Sequence, residues 1–237
     1  MDRPDAPEDQ LFRTLGQFEI INRVFTRNRG AMETFILSAM RRAPGRRYRL
    51  ADLGSGGCDL PRWLIRRCRR EGLHLRVRAI ELDPRIRRFA SAANAEYPEI
   101  EVVAADALDA DAWGRPDFIF ANHLLHHLED DVIVRMLGLL ETSGARYILS
   151  DIQRSRWAAV PYAVLVGLLF HGGFLLEDGL ASIRRGFHRH ELMGYLARAR
   201  LEGKVRLLKR FPFRWLLVGG PDGGRMASED HPAQNDA

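Results

Sequence analysis

Four polar side chains stand at intervals along the first half of the chain: Asp52, Glu81, Asp106 and Asn122. Each closes a short apolar run, the position at which open α/β sheets bind their ligands. The first is followed by Leu53 and then Gly54-Ser-Gly-Gly57. Glycines there permit positive φ and a close approach of backbone to ligand. A helix beginning near Asp59 would aim its free amides at the same spot. A carboxylate at Glu81 can accept both hydroxyls of a ribose, which suits a nucleotide-like ligand without a 2′-phosphate. A second group is basic. His123, His126 and His127 crowd the segment after Asn122, and His171 lies further on. Imidazole titrates near neutrality, so such groups can take a proton from an acidic hydroxyl.

Positioning the four strand-end groups takes a parallel sheet. The runs Leu50–Leu53, Leu75–Pro84 with Glu81 at its carboxyl end, Ile100–Ala107 and Asp117–His123 read as strands in order, and Ala145–Asp151 as a fifth. Between the first two, Asp59–Arg70 places Leu60, Trp63, Leu64 and Cys68 on one helical face. The arginines on its other faces read as a solvated surface. Further helices are expected around Val132–Leu140 and over 188–201, and a closing hairpin around Pro212. At the N-terminus, Leu11, Leu15, Phe18, Ile21 and Phe25, then Met32, Phe35, Ile36 and Met40, recur at helical spacing.

The segments Asp52-Leu-Gly-Ser-Gly-Gly-Cys-Asp59, Ala79-Ile-Glu-Leu-Asp-Pro84, Ala105-Asp-Ala107 and Asn122-His-Leu-Leu-His-His127 together resemble the class I S-adenosylmethionine-dependent methyltransferases, over roughly residues 47–220. Within that family the chain is most similar to small-molecule enzymes of the quinone-biosynthesis type. The resemblance implies a Rossmann-like, doubly wound seven-stranded sheet whose last strand is antiparallel, with S-adenosylmethionine as cofactor. Asp52 would sit near the methionine moiety, and Gly54, Ser55 and Gly56 against the cofactor. Glu81 would hold the ribose, Leu82 flank the adenine, and Asp106 bond its amino group, with Ala107 and Asn122 completing the set. Cys58 departs from the usual glycine and narrows the loop slightly. Taken singly, each acid has a plainer reading: Asp59 as a helix cap, Asp106 as a turn residue. Their order and spacing favour the joint one.

The implied organisation is an N-terminal helical lid or cap over 1–46, a methyltransferase domain over 47–220 with a hydrophobic substrate-covering insertion at 152–187, and a disordered tail over 221–237. The apolar run Trp157–Leu176 approaches the length of a membrane span. Pro161, His171 and Gly172-Gly173 interrupt it, so a wall over a greasy or aromatic substrate fits better. Attachment to a membrane surface is a compatible reading, helped by the basic balance.

Composition sets the outer bounds. The 237 residues carry 36 Lys and Arg against 31 Asp and Glu, a net charge of +5. The sequence pI near 9.7 would tolerate a nucleic-acid substrate. No Asn/Asp-Pro-Pro-aromatic tetrapeptide for exocyclic amines is present, and neither Cys58 nor Cys68 has the setting of a C5 nucleophile. An RNA- or DNA-modifying activity is therefore the runner-up. Two cysteines make no disulfide framework, and the first twenty residues hold no apolar signal region, so a cytoplasmic location is expected.

The expected reaction is methyl transfer from S-adenosylmethionine to a hydroxyl of a hydrophobic, aromatic or polyketide-like small molecule of secondary metabolism. C-methylation of a quinone-like acceptor is an alternative needing the same base. His123 is the first candidate for that base, ahead of His126 and His127. His171 and Arg185 are expected at the substrate, Arg185 for a carboxylate or phenolate. His127 reads more readily as a packed helix residue than as a base. His123 and His127, four apart, could share a helical face as metal ligands, but no third ligand stands at a convincing spacing, and no metal is expected. Oligomeric state is left open by the sequence.

Overall fold

The computed structural model describes residue 8 and residues 11–17, 27–169 and 175–221. The expected helical positions Phe18, Ile21 and Phe25, His171, and the tail beyond residue 221 lie outside the described residues.

Seven strands form one sheet: β1 (Arg47–Leu53), β2 (His74–Glu81), β3 (Ile100–Ala104), β4 (Phe118–Asn122), β5 (Arg146–Ile152), β6 (Arg206–Arg210) and β7 (Arg214–Gly219). The order is β3-β2-β1-β4-β5-β7-β6. Strands β1 to β5 pair in parallel, and β7 runs antiparallel to both β5 and β6. This is the expected Rossmann-like arrangement. The chain reverses direction across the sheet between β1 and β4, and so opens a crevice at their carboxyl ends, where Asp52 and Asn122 sit.

Helix α1 (11–17) packs Leu11 and Leu15 against Ile86. A longer helical run follows: α2 (Asn28–Met32), a π-helical segment (Glu33–Leu37) and α3 (Ser38–Arg41). The widened segment leaves the Phe35 carbonyl to accept from Arg146 Nη1 at 3.3 Å, a cation supplied by the start of β5. Met32, Phe35, Ile36, Leu37 and Met40 are buried in the same cluster as Leu50, Val77, Phe120 and Ile148. Residues 28–41 thus cover one sheet face as part of the main core.

On that face also lie α4 (Asp59–Glu71) and α5 (Pro84–Ala93). The first buries Leu60, Leu64, Ile65 and Cys68 and turns its arginines to ion pairs, as in Arg69 with Glu99 at 2.7 Å. The opposite face carries α6 (Asp130–Thr142) and α9 (Arg189–Arg198), whose Ile133, Met136, Leu137, Leu192 and Leu196 pack on Leu53, Ile119, Leu149 and Leu217. Two helices, α7 (Arg156–Leu169) and α8 (Leu175–Arg185), form the insertion after β5.

One local expectation is corrected. The segment holding His126 and His127 is a single 3-10 turn (Leu125–His127), because α6 starts only at Asp130. His188 is the N-cap of α9, outside its regular spiral, and its ring stacks on that of His190 with centroids 5.7 Å apart.

Candidate active site

The glycine loop is tied to the neighbouring strand end. Gly54 and Ser55 amides both donate to the Ile80 carbonyl, at 3.0 and 3.1 Å. Gly54 and Gly56 take φ of +65° and +53°, values that cost an L side chain about 1–2 kcal/mol. Cys58, buried and at φ +59°, accepts that strain as the N-cap of α4. Burial pushes its thiol up to about 12, so it is a packing group with little thiolate at neutral pH.

Glu81 closes β2 and reaches back across the crevice. Its two carboxylate oxygens accept the Gly56 and Asp83 amides, each at 3.1 Å. Burial raises its pKa, partly offset by these amides. Asp52, buried at the end of β1, is raised well above the carboxylate range, first by burial and then by the nearby charges of Asp59 and Glu81. Crowded acids in a dry cleft suit a ligand that brings positive charge. Beside them Leu82 is 64% exposed, an apolar surface with room for a flat ring. Asp106 and Ala107 follow β3; Asp106 is exposed and accepts the Leu108 amide at 2.8 Å, a turn-type bond.

Asn122 and His123 end β4 beside a group that the sequence reading missed. Arg214, the first residue of β7, is buried and donates to Asn122 Oδ1 at 2.6 Å, to Ser150 Oγ at 2.8 Å and to His123 Nε2 at 2.8 Å. Ser150 Oγ in turn donates to Asn28 Oδ1 at 2.7 Å, which locks α2 to this end of the sheet. Burial lowers Arg214 to about 10, partly offset by Asp151. His123 sits at φ +57°. Burial and then the Arg214 charge hold it well below the usual imidazole range. Its Nε2 lone pair is already engaged.

His126 is placed otherwise. The 3-10 turn folds it back over the end of β5, where its Nδ1 lies 2.7 Å from Asp151 Oδ1. Asp151 Oδ2 also accepts the Leu125 amide at 2.8 Å. Burial alone would raise Asp151, but the charge and hydrogen bond of His126, with smaller effects from His123 and Arg214, outweigh it and keep the carboxyl ionised below the usual range. In the neutral ring, an Nδ1–H directed to Asp151 leaves the lone pair on the other nitrogen. That Nε2 is buried and has no hydrogen-bond partner among the described residues. His127 is exposed, its ring 4.1 Å from that of His126.

His123, His126 and Asp151 bring three potential metal-ligating atoms within 4.8 Å of one another. Yet Nε2 of His123 accepts from a guanidinium, and the Asp151 oxygens serve His126 and backbone amides. The donor set is already committed, with a cation in its midst. His123 and His127 share no helical face, because His123 is itself left-handed and His127 ends a 3-10 turn.

Arg185, at the end of α8, lines a cavity of about 510 Å³ together with His126, Arg154, Phe187 and Tyr195. Asp151 and Arg214 were legible only as faint signals: each is a charged residue inside an otherwise apolar strand, in Tyr-Ile-Leu-Ser-Asp-Ile152 and Phe-Arg-Trp-Leu-Leu-Val218.

A parallel sheet closed by an antiparallel β7, with a positive-φ glycine loop and acids at successive strand ends, is the fold of the class I S-adenosylmethionine-dependent methyltransferases. Residues 51–148 match the family model described as a methyltransferase domain. The chain thus carries a methyltransferase domain on this fold, the mark of an enzyme that takes S-adenosylmethionine as its cofactor. The residues fit that cofactor: the loop glycines leave its approach open, Glu81 faces the loop, and the exposed Leu82 offers a surface for adenine.

Solved structures agree on the fold. A methyltransferase of Aquifex aeolicus superposes with a TM-score of 0.53 at 14% identity, covering 87% of this chain and 96% of that one. Human N-acetylserotonin methyltransferase in complex with S-adenosylmethionine gives 0.60 at 14% identity, covering 91% of this chain and 57% of that one. Magnesium protoporphyrin IX methyltransferase from Synechocystis, with S-adenosylhomocysteine bound, gives 0.50 at 15% identity, covering 81% of each. A search of curated protein sequences finds no match.

Proposed function

We propose that the enzyme methylates a hydroxyl of a hydrophobic, aromatic or polyketide-like small molecule, with His126 as general base. The observation that carries this reading is the His126–Asp151 pair: a buried ring held at Nδ1 by a carboxylate 2.7 Å away, with Nε2 buried and unpartnered. When bound, the cofactor supplies an electrophilic sulfonium methyl. Asp52, Glu81 and the loop from Gly54 to Gly56 hold it, with Leu82, Asp106, Ala107 and Asn122 at the rim of the same crevice. His126 Nε2 takes the acceptor's hydroxyl proton as the oxygen gains the methyl, and Asp151 stabilises the imidazolium that forms. Phe187 and Tyr195 offer aromatic surface beside it, and Arg154 and Arg185 favour the anionic form of a phenol.

His123 is reassigned within this proposal from base to structural link, since its basicity is depressed and its Nε2 is engaged. Transfer to an enolic carbon of a quinone-like acceptor would use the same base. A cytoplasmic setting belongs to the same reading, supported by two free, buried cysteines.

The test is a panel of phenolic, hydroxynaphthoquinone and polyketide-like acceptors, scored for methylated product by mass spectrometry. With the best acceptor, His126→Ala is expected to lower kcat by about 10²–10⁴-fold while leaving S-adenosylmethionine affinity within a factor of about two. Unchanged turnover would remove His126 as base. A panel turning over only nucleic acid would overturn the acceptor class.

A further inference from the structure

Among the described residues, the exposed large hydrophobic side chains apart from Leu82 are Trp157 at 81%, Val160 at 63% and Phe211 at 71%. Trp157 and Val160 lie three apart in the first turns of α7 and share a face. Between them Ala158 turns inward, buried with Ile152 and Ile183, and Phe213 and Tyr162 pack on the same cluster. Phe213 follows Phe211 in the β6–β7 turn, and its carbonyl accepts the Gln153 amide at 2.8 Å. The start of α7 and the tip of the hairpin therefore meet at the end of β5, the same end of the sheet as Asn122, His123 and Asp151.

Cations surround these apolar groups. Arg156 is exposed next to Trp157, and Lys209 and Arg210, both exposed, lead into Phe211. Arg27 lies over the Phe211 ring, 5.4 Å from its centroid. The chain as a whole mixes 36 basic with 31 acidic residues, yet no Asp or Glu stands between Asp151 and Glu177, or between Glu202 and Asp222. Both segments that meet here are free of negative charge.

We propose that this face docks on an anionic lipid bilayer. Tryptophan with adjoining cations suits the boundary between headgroups and acyl chains, where the ring is buried and the charges meet phosphate. Over its described residues, Arg156–Leu169, the helix spans about 21 Å against an apolar core of about 30 Å. No helix among the described residues is long and apolar enough to cross a membrane. It lies instead on the surface, with the active-site end of the sheet towards the lipid. A lipophilic acceptor would be met there, although the docking stands whether or not that acceptor reading holds.

The experiment is co-sedimentation of the purified full chain with vesicles, with no acceptor present. Vesicles of phosphatidylcholine and phosphatidylglycerol should bind the protein, and phosphatidylcholine alone should bind it weakly. Each of Arg156→Gln, Lys209→Gln and Arg210→Gln should reduce binding by about fivefold. The double variant Trp157→Ser, Phe211→Ser should reduce it by at least about tenfold. A blue shift of tryptophan emission on adding anionic vesicles should vanish in Trp157→Phe. All variants should keep wild-type affinity for S-adenosylmethionine, which certifies their fold. Absence of binding to anionic vesicles at low salt, or equal binding by the double variant, would overturn the proposal. So would a self-association of the wild type that the double variant abolishes, which would give the face to a second copy of the chain. None of these outcomes touches the assignment of His126.

Discussion

At the scale of single residues, environment decides which of several like groups does chemistry. Three histidines lie within five positions. His123 faces a guanidinium, His127 faces solvent, and only His126 combines an orienting carboxylate with an unpartnered, buried nitrogen. The acids sort in the same way. Glu81 joins the glycine loop to the end of β2, so Glu81→Ala is expected to weaken S-adenosylmethionine binding by at least about tenfold, through loss of the charge-assisted bonds to the ribose and of the tie to Gly56. Calorimetric titration checks this, and unchanged affinity would refute the ribose contact. Asp106, with an exposed carboxylate already bonded to Leu108, should matter less.

At the scale of elements, one buried cation joins pieces distant in sequence. The antiparallel register Ile152↔Arg214 sets the first residue of β7 beside the ends of β4 and β5. From there it reaches Asn122, His123 and Ser150, and through Ser150 it reaches α2. Arg214→Met removes the donor and strands several buried acceptors. A destabilisation on the order of 3 kcal/mol is expected, read as a lower urea midpoint with an unchanged m-value. Little change in the midpoint would mean that water replaces the guanidinium without cost. The helical run 28–41 lies within the segment expected as a lid or cap, and its residues Met32, Ile36 and Met40 are buried in the main core.

At the scale of the whole molecule, buried ionisable groups pull stability in opposite directions with pH. Asp52 and Glu81 have raised pKa values, so the folded protein binds protons that the unfolded chain does not, and their contribution to stability falls as pH rises through those values. His123 is depressed, so its contribution is complete above about 6.5 and is lost as pH falls towards its folded value. Comparing variants separates the two. Asp52→Asn in the cofactor-free enzyme should be stabilising at pH 7 by at least about 1.4 kcal/mol, the worth of one pKa unit, and the gain should shrink towards zero near pH 4. Urea denaturation at the two pH values checks it. A gain independent of pH would exclude the ionised carboxylate as its source.

The sequence by itself determined the sheet and the cofactor, and it supplied the candidate residues for holding that cofactor. Those signals are local: a strand, its terminal acid and a glycine bend lie within a dozen positions, and hydrophobic periodicity marks each element. It also marked His126 as one of three candidates for the base. The tertiary structure singled out His126 for the proposal, because the groups that divide the histidines come from far along the chain. Asp151 arrives through the β4–β5 pairing and Arg214 through the antiparallel β7. Strand order and register, on which a single apolar strand is silent, put these side chains together. The same is true of the exposed face: the clearing of acids from two segments is visible in the sequence, but only the fold brings Trp157 and Phe211 to one end of the sheet.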